Sequence, residues 1–92
     1  MKGEMMKRDV RFEIKMLKRL AEEHCYNIKI NWTGKVRMWQ EFDFVDNDYT
    51  YESISLALLD WYDIMVISQK EFGDWGEELE YIESVLLNRD IA

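Results

Sequence analysis

Apolar and polar positions follow a helical period over the first part of the chain. Apolar side chains recur at intervals of three or four residues, at Met6, Val10, Ile14, Leu17 and Ala21. This spacing places them on one face of an α-helix. The pattern predicts a helix from about residue 7 to residue 24. Lys and Arg side chains occupy another arc, so the helix should have one apolar and one cationic stripe.

The period then changes to two, which is typical of strands. Apolar and polar side chains alternate over residues 26–32, ending on an apolar-face tryptophan, and again over residues 36–44. Thr33 and Gly34 separate the two runs and indicate a tight turn, because glycine adopts a positive φ without strain. We therefore expect a β-hairpin. Trp39 falls on its charged face, so we expect another element or another copy to cover it.

A second helix is predicted in the C-terminal half. Residues 46–48 should form a polar turn, and Asp48 or Thr50 should cap a helix that runs from residue 51 to about residue 70. This segment has more apolar positions than one packing face requires, so part of its surface must be buried elsewhere. The β-branched run at 64–68 leaves a short strand as an alternative, although the absence of Gly and Pro favours a helix.

A third helix should begin near Trp75, after Gly73 ends the second one. The predicted fold is α+β, a single domain over residues 1–92 with the order α-β-β-α-α and a disordered tail at residues 1–6. A two-stranded antiparallel hairpin packs on the three helices. Because a lone hairpin is marginal and has open edges, we expect a homodimer in which two hairpins complete a four-stranded sheet.

Composition narrows the class of protein. The chain has 92 residues, of which 48% are hydrophobic, so it can form a packed core of modest size. Its one cysteine excludes an internal disulfide and a thiolate zinc site. No apolar run reaches the length of about 18 residues that spans a bilayer. These features favour a cytoplasmic protein that does not bind membranes.

Charge is divided along the sequence. The formal net charge is −7, yet residues 1–37 contain 10 Lys or Arg and 5 Asp or Glu, whereas residues 38–92 contain 2 and 14. An acidic surface repels polyanions and attracts basic patches. A protein partner with a basic patch is therefore favoured over nucleic acid.

The candidate partner-binding surface combines carboxylates with aromatic rings, which together can bind Arg and Lys side chains. Its residues are Trp39, Glu41, Asp43, Asp46, Asp48, Tyr51, Glu77, Glu78 and Glu80. In size and acidity alone, the chain is similar to the small inhibitors that phages and mobile elements use against nucleic-acid enzymes. The sequence thus predicts a small acidic interaction protein, with such an inhibitor as one form of it.

Nucleic-acid binding is the alternative. It would use the basic face of the first helix, with help from cations and Trp39 on the hairpin, because Lys and Arg neutralise phosphates and aromatic rings stack on bases. The residues concerned are Arg8, Arg11, Lys15, Lys18, Arg19, Lys29 and Arg37. The competing interpretation is a solvated face that pairs with acidic side chains of the same chain or of a second copy.

Catalytic, metal and cofactor signals are weak. His24 and Cys25 are sequence neighbours, whereas a nucleophile and its base normally meet across a fold. Counting from Asp46 as the first ligand of a calcium loop, Tyr51 stands where glycine is required and Ala57 where glutamate is required. The four glycines are too scattered for a phosphate-binding loop. We therefore expect no enzyme activity, no metal and no cofactor.

Overall fold

The computed structural model describes residues 7–41 and 46–87, and it is α+β as predicted. The elements are α1 (Val10–Glu23), β1 (Asn27–Ile30), β2 (Val36–Glu41), β3 (Asp46–Tyr51), α2 (Ile54–Phe72) and α3 (Gly76–Tyr81), which continues as a π-helical segment (Ile82–Leu86). The predicted tail at residues 1–6 and the central part of the second predicted alternation, residues 42–45, lie outside the described residues.

Helix α1 is amphipathic as predicted, but its buried stripe is displaced from the predicted one. Leu17 and Ala21 are buried as predicted, whereas Val10 is 45% exposed. Met16 and Leu20, outside the predicted stripe, are buried.

The helix ends where Tyr26 N–H donates a 2.7 Å hydrogen bond back to the carbonyl of Ala21. The chain turns there through Cys25, whose φ of 61° is a left-handed conformation more usual for glycine.

The sheet has three strands where two were predicted, in the order β1-β2-β3 with both pairings antiparallel. Residues 46–48 are therefore the start of β3 and not a turn. All six residues of β3 pair with β2, from Glu41 opposite Asp46 to Val36 opposite Tyr51. Asp and Asn are depleted in strands, so their clustering at this point resembled a loop; pairing with a central strand overrides that preference.

The third strand also changes the predicted assembly. A four-stranded sheet built from two hairpins is wrong, because each chain already contributes three strands. Two copies joined along a sheet edge would form six strands.

Helix α2 includes residues 64–68, so the strand alternative is wrong for that run. The helix begins at Ile54 instead of residue 51, and its cap is Ser53, whose Oγ accepts a 3.1 Å hydrogen bond from Leu56 N–H. Asp48 and Thr50 cannot cap it, because both belong to β3. Gly73 follows the helix with a φ of 68°, as expected of a glycine that ends a helix.

The chain forms two compact units. The sheet unit is Val10–Leu58, and its buried side chains include Leu20, Val36 and Met38. The helical unit is described over residues 7–9 and 59–87. Its buried apolar side chains are Trp61, Met65, Trp75, Leu79, Tyr81 and Ile82.

Polar contacts fix the turn and the ends of the helical unit. Trp75 N–H donates a 2.6 Å hydrogen bond to Gln69 Oε1, and the Tyr62 hydroxyl donates to Glu83 at 2.6 Å.

In the part of the chain that the structure describes, no helix is long and apolar enough to cross a membrane.

Candidate functional site

One face of the sheet collects the charged side chains of all three strands. The register places Lys29 opposite Arg37 and Trp39 opposite Asp48. The Arg37 guanidinium forms a two-pronged ion pair with Asp48, with Nη2–Oδ2 at 2.8 Å and Nε–Oδ1 at 3.1 Å. Its Cζ atom lies 4.5 Å from the centre of the Trp39 ring. Trp39 is half-buried, and the side chain against its ring is Arg37 of the same strand, where the sequence predicted another element or another copy.

The ion pair stabilises the charged form of both partners. The hydrogen bond to Arg37 lowers the pKa of Asp48 below its ordinary value. The hydrogen bond to Asp48 raises the pKa of Arg37. Both side chains therefore carry full charge at neutral pH and offset each other.

The predicted partner-binding residues are divided by the fold. Trp39, Glu41, Asp46 and Asp48 share the sheet face just described, together with the cations Lys29 and Arg37. Tyr51 pairs with the buried Val36 and lies on the opposite face, so its placement in the same surface is wrong. Asp43 lies outside the described residues. This face is of mixed sign and is not an acidic surface.

Helix α1 carries the predicted cationic stripe in part. Arg11, Lys15 and Lys18 are exposed at intervals of four and three residues, which places them on one face. Arg19 instead donates from Nε to Glu23 at 2.9 Å. Arg8 is exposed but precedes the helix, in the helical unit.

The helical unit retains the acidic character. Residues 59–87 contain eight Asp or Glu and one Lys, Lys70. Glu77 and Glu80 are exposed and Glu78 is half-buried. On the preceding helix, exposed carboxylates and exposed apolar side chains share one face, because the spacing of three, four and seven residues is helical. These residues are Asp60, Asp63, Ile64, Ile67 and Glu71.

Apolar exposure on that face is large. Ile64 is 39% exposed and Ile67 is 58% exposed. Phe72, at the end of the helix, is 73% exposed but lies outside this face. The surplus apolar surface predicted for this helix is thus partly uncovered in the single chain. We call the exposed α2 residues Asp60, Asp63, Ile64, Ile67 and Glu71 the acidic–apolar face.

The α3 segment lies against the opposite side of α2, because Tyr62 contacts Glu83 and Gln69 contacts Trp75. Glu77 and Glu80 are therefore not part of this face.

The tip of the hairpin holds a residue that the sequence pattern misplaced. Trp32 was expected on the half-buried apolar face of the first strand, but β1 ends at Ile30 and Trp32 is 95% exposed in the turn. Asn31 is the signal that could have found it, since Asn at the end of an alternating run commonly starts a turn. Trp32 and the exposed Lys35 of the same turn were both absent from the predicted sites.

Metal and nucleophile chemistry gain no support from the geometry. Across residues 7–41 and 46–87, no three His, Cys, Asp or Glu side chains are grouped so that they could hold a metal ion. His24 is half-buried and Cys25 is exposed in the turn after α1. The main-chain carbonyl of His24 accepts a 2.9 Å hydrogen bond from the Gln40 side chain, which ties this turn to β2.

No family model matches the chain, and searches of curated proteins and of solved structures found no significant match.

Proposed function

We propose that the chain is a non-catalytic interaction protein whose acidic–apolar face binds a basic surface of a protein partner. The observation that carries the proposal is the coincidence of exposed carboxylates with the exposed Ile64 and Ile67 on one face of α2. Contiguous exposed apolar side chains rimmed by polar ones are typical of protein interaction sites. Carboxylates alone would only keep the protein soluble.

The two components have separate roles. Burial of the apolar side chains supplies affinity, because it removes apolar surface from water. The surrounding carboxylates steer a basic partner and speed association, an effect that salt screens. Enzymes that act on nucleic acids present Lys and Arg to phosphates, so blocking such a surface would make the chain an inhibitor of that class.

Charge reversal within the face provides the test. Asp63→Lys with Glu71→Lys should slow capture of the partner by about tenfold or more at low salt, because electrostatic steering is lost. The control is Glu22→Lys with Glu52→Lys, which makes the same change in net charge at exposed positions of the sheet unit. Affinity capture from the native cells, with each retained protein quantified by mass spectrometry, makes the comparison.

Three results are informative in that experiment. Basic proteins lost from the face variant and kept by the control support the proposal. Equal losses from both variants would indicate a net-charge effect and not a site. Retention of the same proteins by the Asp63 and Glu71 variant at low salt would refute the proposed face.

We also propose self-association, as the sequence suggested. Both β1 and β3 are edge strands within the sheet, and unpaired strand edges favour pairing with another chain. Light scattering should give twice the 11.2 kDa mass of the chain. A monomer mass at the working concentration would exclude the dimer.

The second candidate function is nucleic-acid binding by α1. The observation that favours it is the exposed row of Arg11, Lys15 and Lys18. Arg11→Glu with Lys15→Glu should then abolish a salt-sensitive complex in a gel shift. The absence of such a complex with the unmodified protein would exclude this candidate.

A further inference from the structure

The tip of the β1–β2 hairpin is a turn closed by hydrogen bonds, and its Trp32 side chain is exposed to solvent. Asn31 Oδ1 accepts hydrogen bonds from Thr33 N–H at 3.0 Å, Thr33 Oγ1–H at 2.7 Å and Lys35 N–H at 2.9 Å. Gly34 N–H donates to the carbonyl of Asn31 at 3.0 Å and has a φ of 93°. These contacts define the path of the backbone, and they leave Trp32 95% exposed. Burying an exposed indole against a ligand would remove its apolar surface from water, which is favourable. The Trp32 ring is therefore available to bind a ligand.

A cationic groove lies on one side of this tip. Its volume is about 260 Å³, and it is lined by Lys29, Asn31, Lys35, Val36, Arg37 and Thr50. Three of the six lining side chains are cations. Arg37 is paired with Asp48, and Lys35 lies 3.9 Å from Glu52 at an exposed position. Lys29 has no ion-pair partner among the residues that the structure describes, so at least one full positive charge is uncompensated.

A second groove lies on the other side of the tip and shares Asn31 with the first. Its volume is about 570 Å³, and it is lined by Ile14, Lys18, Ile28, Ile30, Asn31 and Trp32. Trp32 forms one wall, apolar side chains form most of the rest, and Lys18 of α1 adds a cation. A flat apolar ring entering this groove would contact the indole, with an anionic substituent close to Lys18.

We propose that the hairpin tip binds single-stranded nucleic acid, with a base stacked on Trp32 and phosphates held by Lys18, Lys29 and Lys35. Cations that follow a backbone beside an exposed aromatic ring are the usual elements of single-strand binding. A duplex suits the tip less well, because its bases are stacked on one another and cannot receive the indole. An acidic peptide would satisfy the lysines but has no base to stack. The inference is independent of the acidic–apolar face, since the two sites share no residue.

Fluorescence titration with an oligothymidylate of about ten nucleotides tests the proposal. Trp61 and Trp75 are buried and Trp39 is half-buried, so stacking on Trp32 should dominate any quenching. Trp32→Ala should weaken binding roughly 5- to 100-fold, whereas Trp32→Phe should retain part of it. Three phosphate contacts predict a slope of about −2 in a plot of log affinity against log salt concentration.

Matched variants assign the charges. Lys29→Gln with Lys35→Gln should make the salt slope shallower by about 1.4, because two phosphate contacts are lost. Lys70→Gln, at an exposed position of the helical unit, is the control and should change neither affinity nor slope. Asp48→Asn releases the Arg37 guanidinium from its ion pair and should tighten binding.

Four outcomes would overturn the proposal. These are no quenching by the oligonucleotide, unchanged affinity of the Trp32→Ala variant, equal affinity for a duplex of the same length, and equal affinity for polyglutamate. Loss of binding by Arg11→Glu with Lys15→Glu, but not by the Lys29 and Lys35 variant, would assign nucleic acid to α1 instead. None of these results bears on partner capture by the Asp63 and Glu71 variant, so the two proposals fail separately.

Discussion

The sheet unit and the helical unit treat charge differently. In Val10–Leu58 there are seven Lys or Arg and eight Asp or Glu, and opposite charges meet, as in the pairs Arg37–Asp48 and Arg19–Glu23. In residues 59–87 eight carboxylates face one lysine, and exposed apolar side chains lie among them. The first surface largely compensates its own charge, whereas residues 59–87 carry a large excess of negative charge.

The difference shows how strand pairing redistributes charge. Along the sequence, the basic part ends at residue 37 and the acidic part follows it. Antiparallel pairing of β2 with β3 brings Asp48 back beside Arg37, 11 residues earlier. Residues 59–87 contain no basic segment to which the carboxylates of α2 and α3 could return, since Lys70 is the one cation among them. Charge division along a sequence therefore becomes charge division on a surface only where the fold keeps like charges together.

The largest test of this comparison is a matched pair of isoleucines in the helical unit. Ile82 is fully buried and Ile67 is 58% exposed. Ile82→Ala should lower the free energy of unfolding by about 2–5 kcal/mol, because it removes buried methyl groups and leaves a cavity. Ile67→Ala should change it by less than about 0.5 kcal/mol. Urea denaturation measures both.

An equal loss in the two isoleucine variants would break the comparison. It would mean that Ile67 is packed against the chain itself and is not reserved for a partner. The acidic–apolar face would then lose its apolar component.

A smaller test uses the sign of a charge effect. Glu80 lies three residues from both Glu77 and Glu83, so Glu80→Gln should raise the free energy of unfolding by about 0.2–0.5 kcal/mol at low salt. Arg19 in α1 pairs with Glu23 at 2.9 Å near the C-terminus of the helix, so Arg19→Gln should have the opposite sign. Thermal denaturation at low and high salt measures both, and a shared sign would contradict the stated difference between the units.

The smallest effect concerns Asp48. Because its pKa is lowered in the folded protein, its ion pair adds stability above the ordinary pKa near 3.8, and that stability is lost as pH falls through the folded value. Arg37→Gln should return the pKa of Asp48 toward its ordinary value. An NMR titration of the carboxyl carbon measures this, with Lys70→Gln as the control. An unchanged Asp48 titration in the Arg37 variant would show that the pair is not formed in solution.

Local patterns predicted much of the fold. The three-to-four spacing of Val10, Leu17 and Ala21 was enough to find α1, because a helix is built from near neighbours. Gly34 and Gly73 marked turns correctly, since a positive φ is a property of one residue. Trp75, Leu79 and Ile82 recur at intervals of four and three residues, the spacing of one helix face, and all three are buried.

The candidate sites were less accessible to the sequence. Trp32 continued an alternating pattern, yet the hydrogen bonds of Asn31 end the strand before it and expose it. Trp39 was expected to be covered by another element or another copy, but the side chain that contacts its ring is Arg37, two residues earlier on the same strand. The first outcome depends on where β1 ends, and the second on which side chain contacts the Trp39 ring. The alternation of apolar and polar residues predicts neither.

By itself the sequence determined the α+β class, the helical stripes, the glycine turns and the acidic character of the C-terminal half, because each is set by neighbours a few residues apart. Tertiary structure alone decided that 46–51 is a strand, that its carboxylates meet the cations of β2, and that Trp32 stands in solvent. The physical reason is that strand pairing draws its free energy from residues distant in the chain. Such pairing outweighs the preference of Asp and Asn for turns, which is the preference that a prediction from local sequence uses.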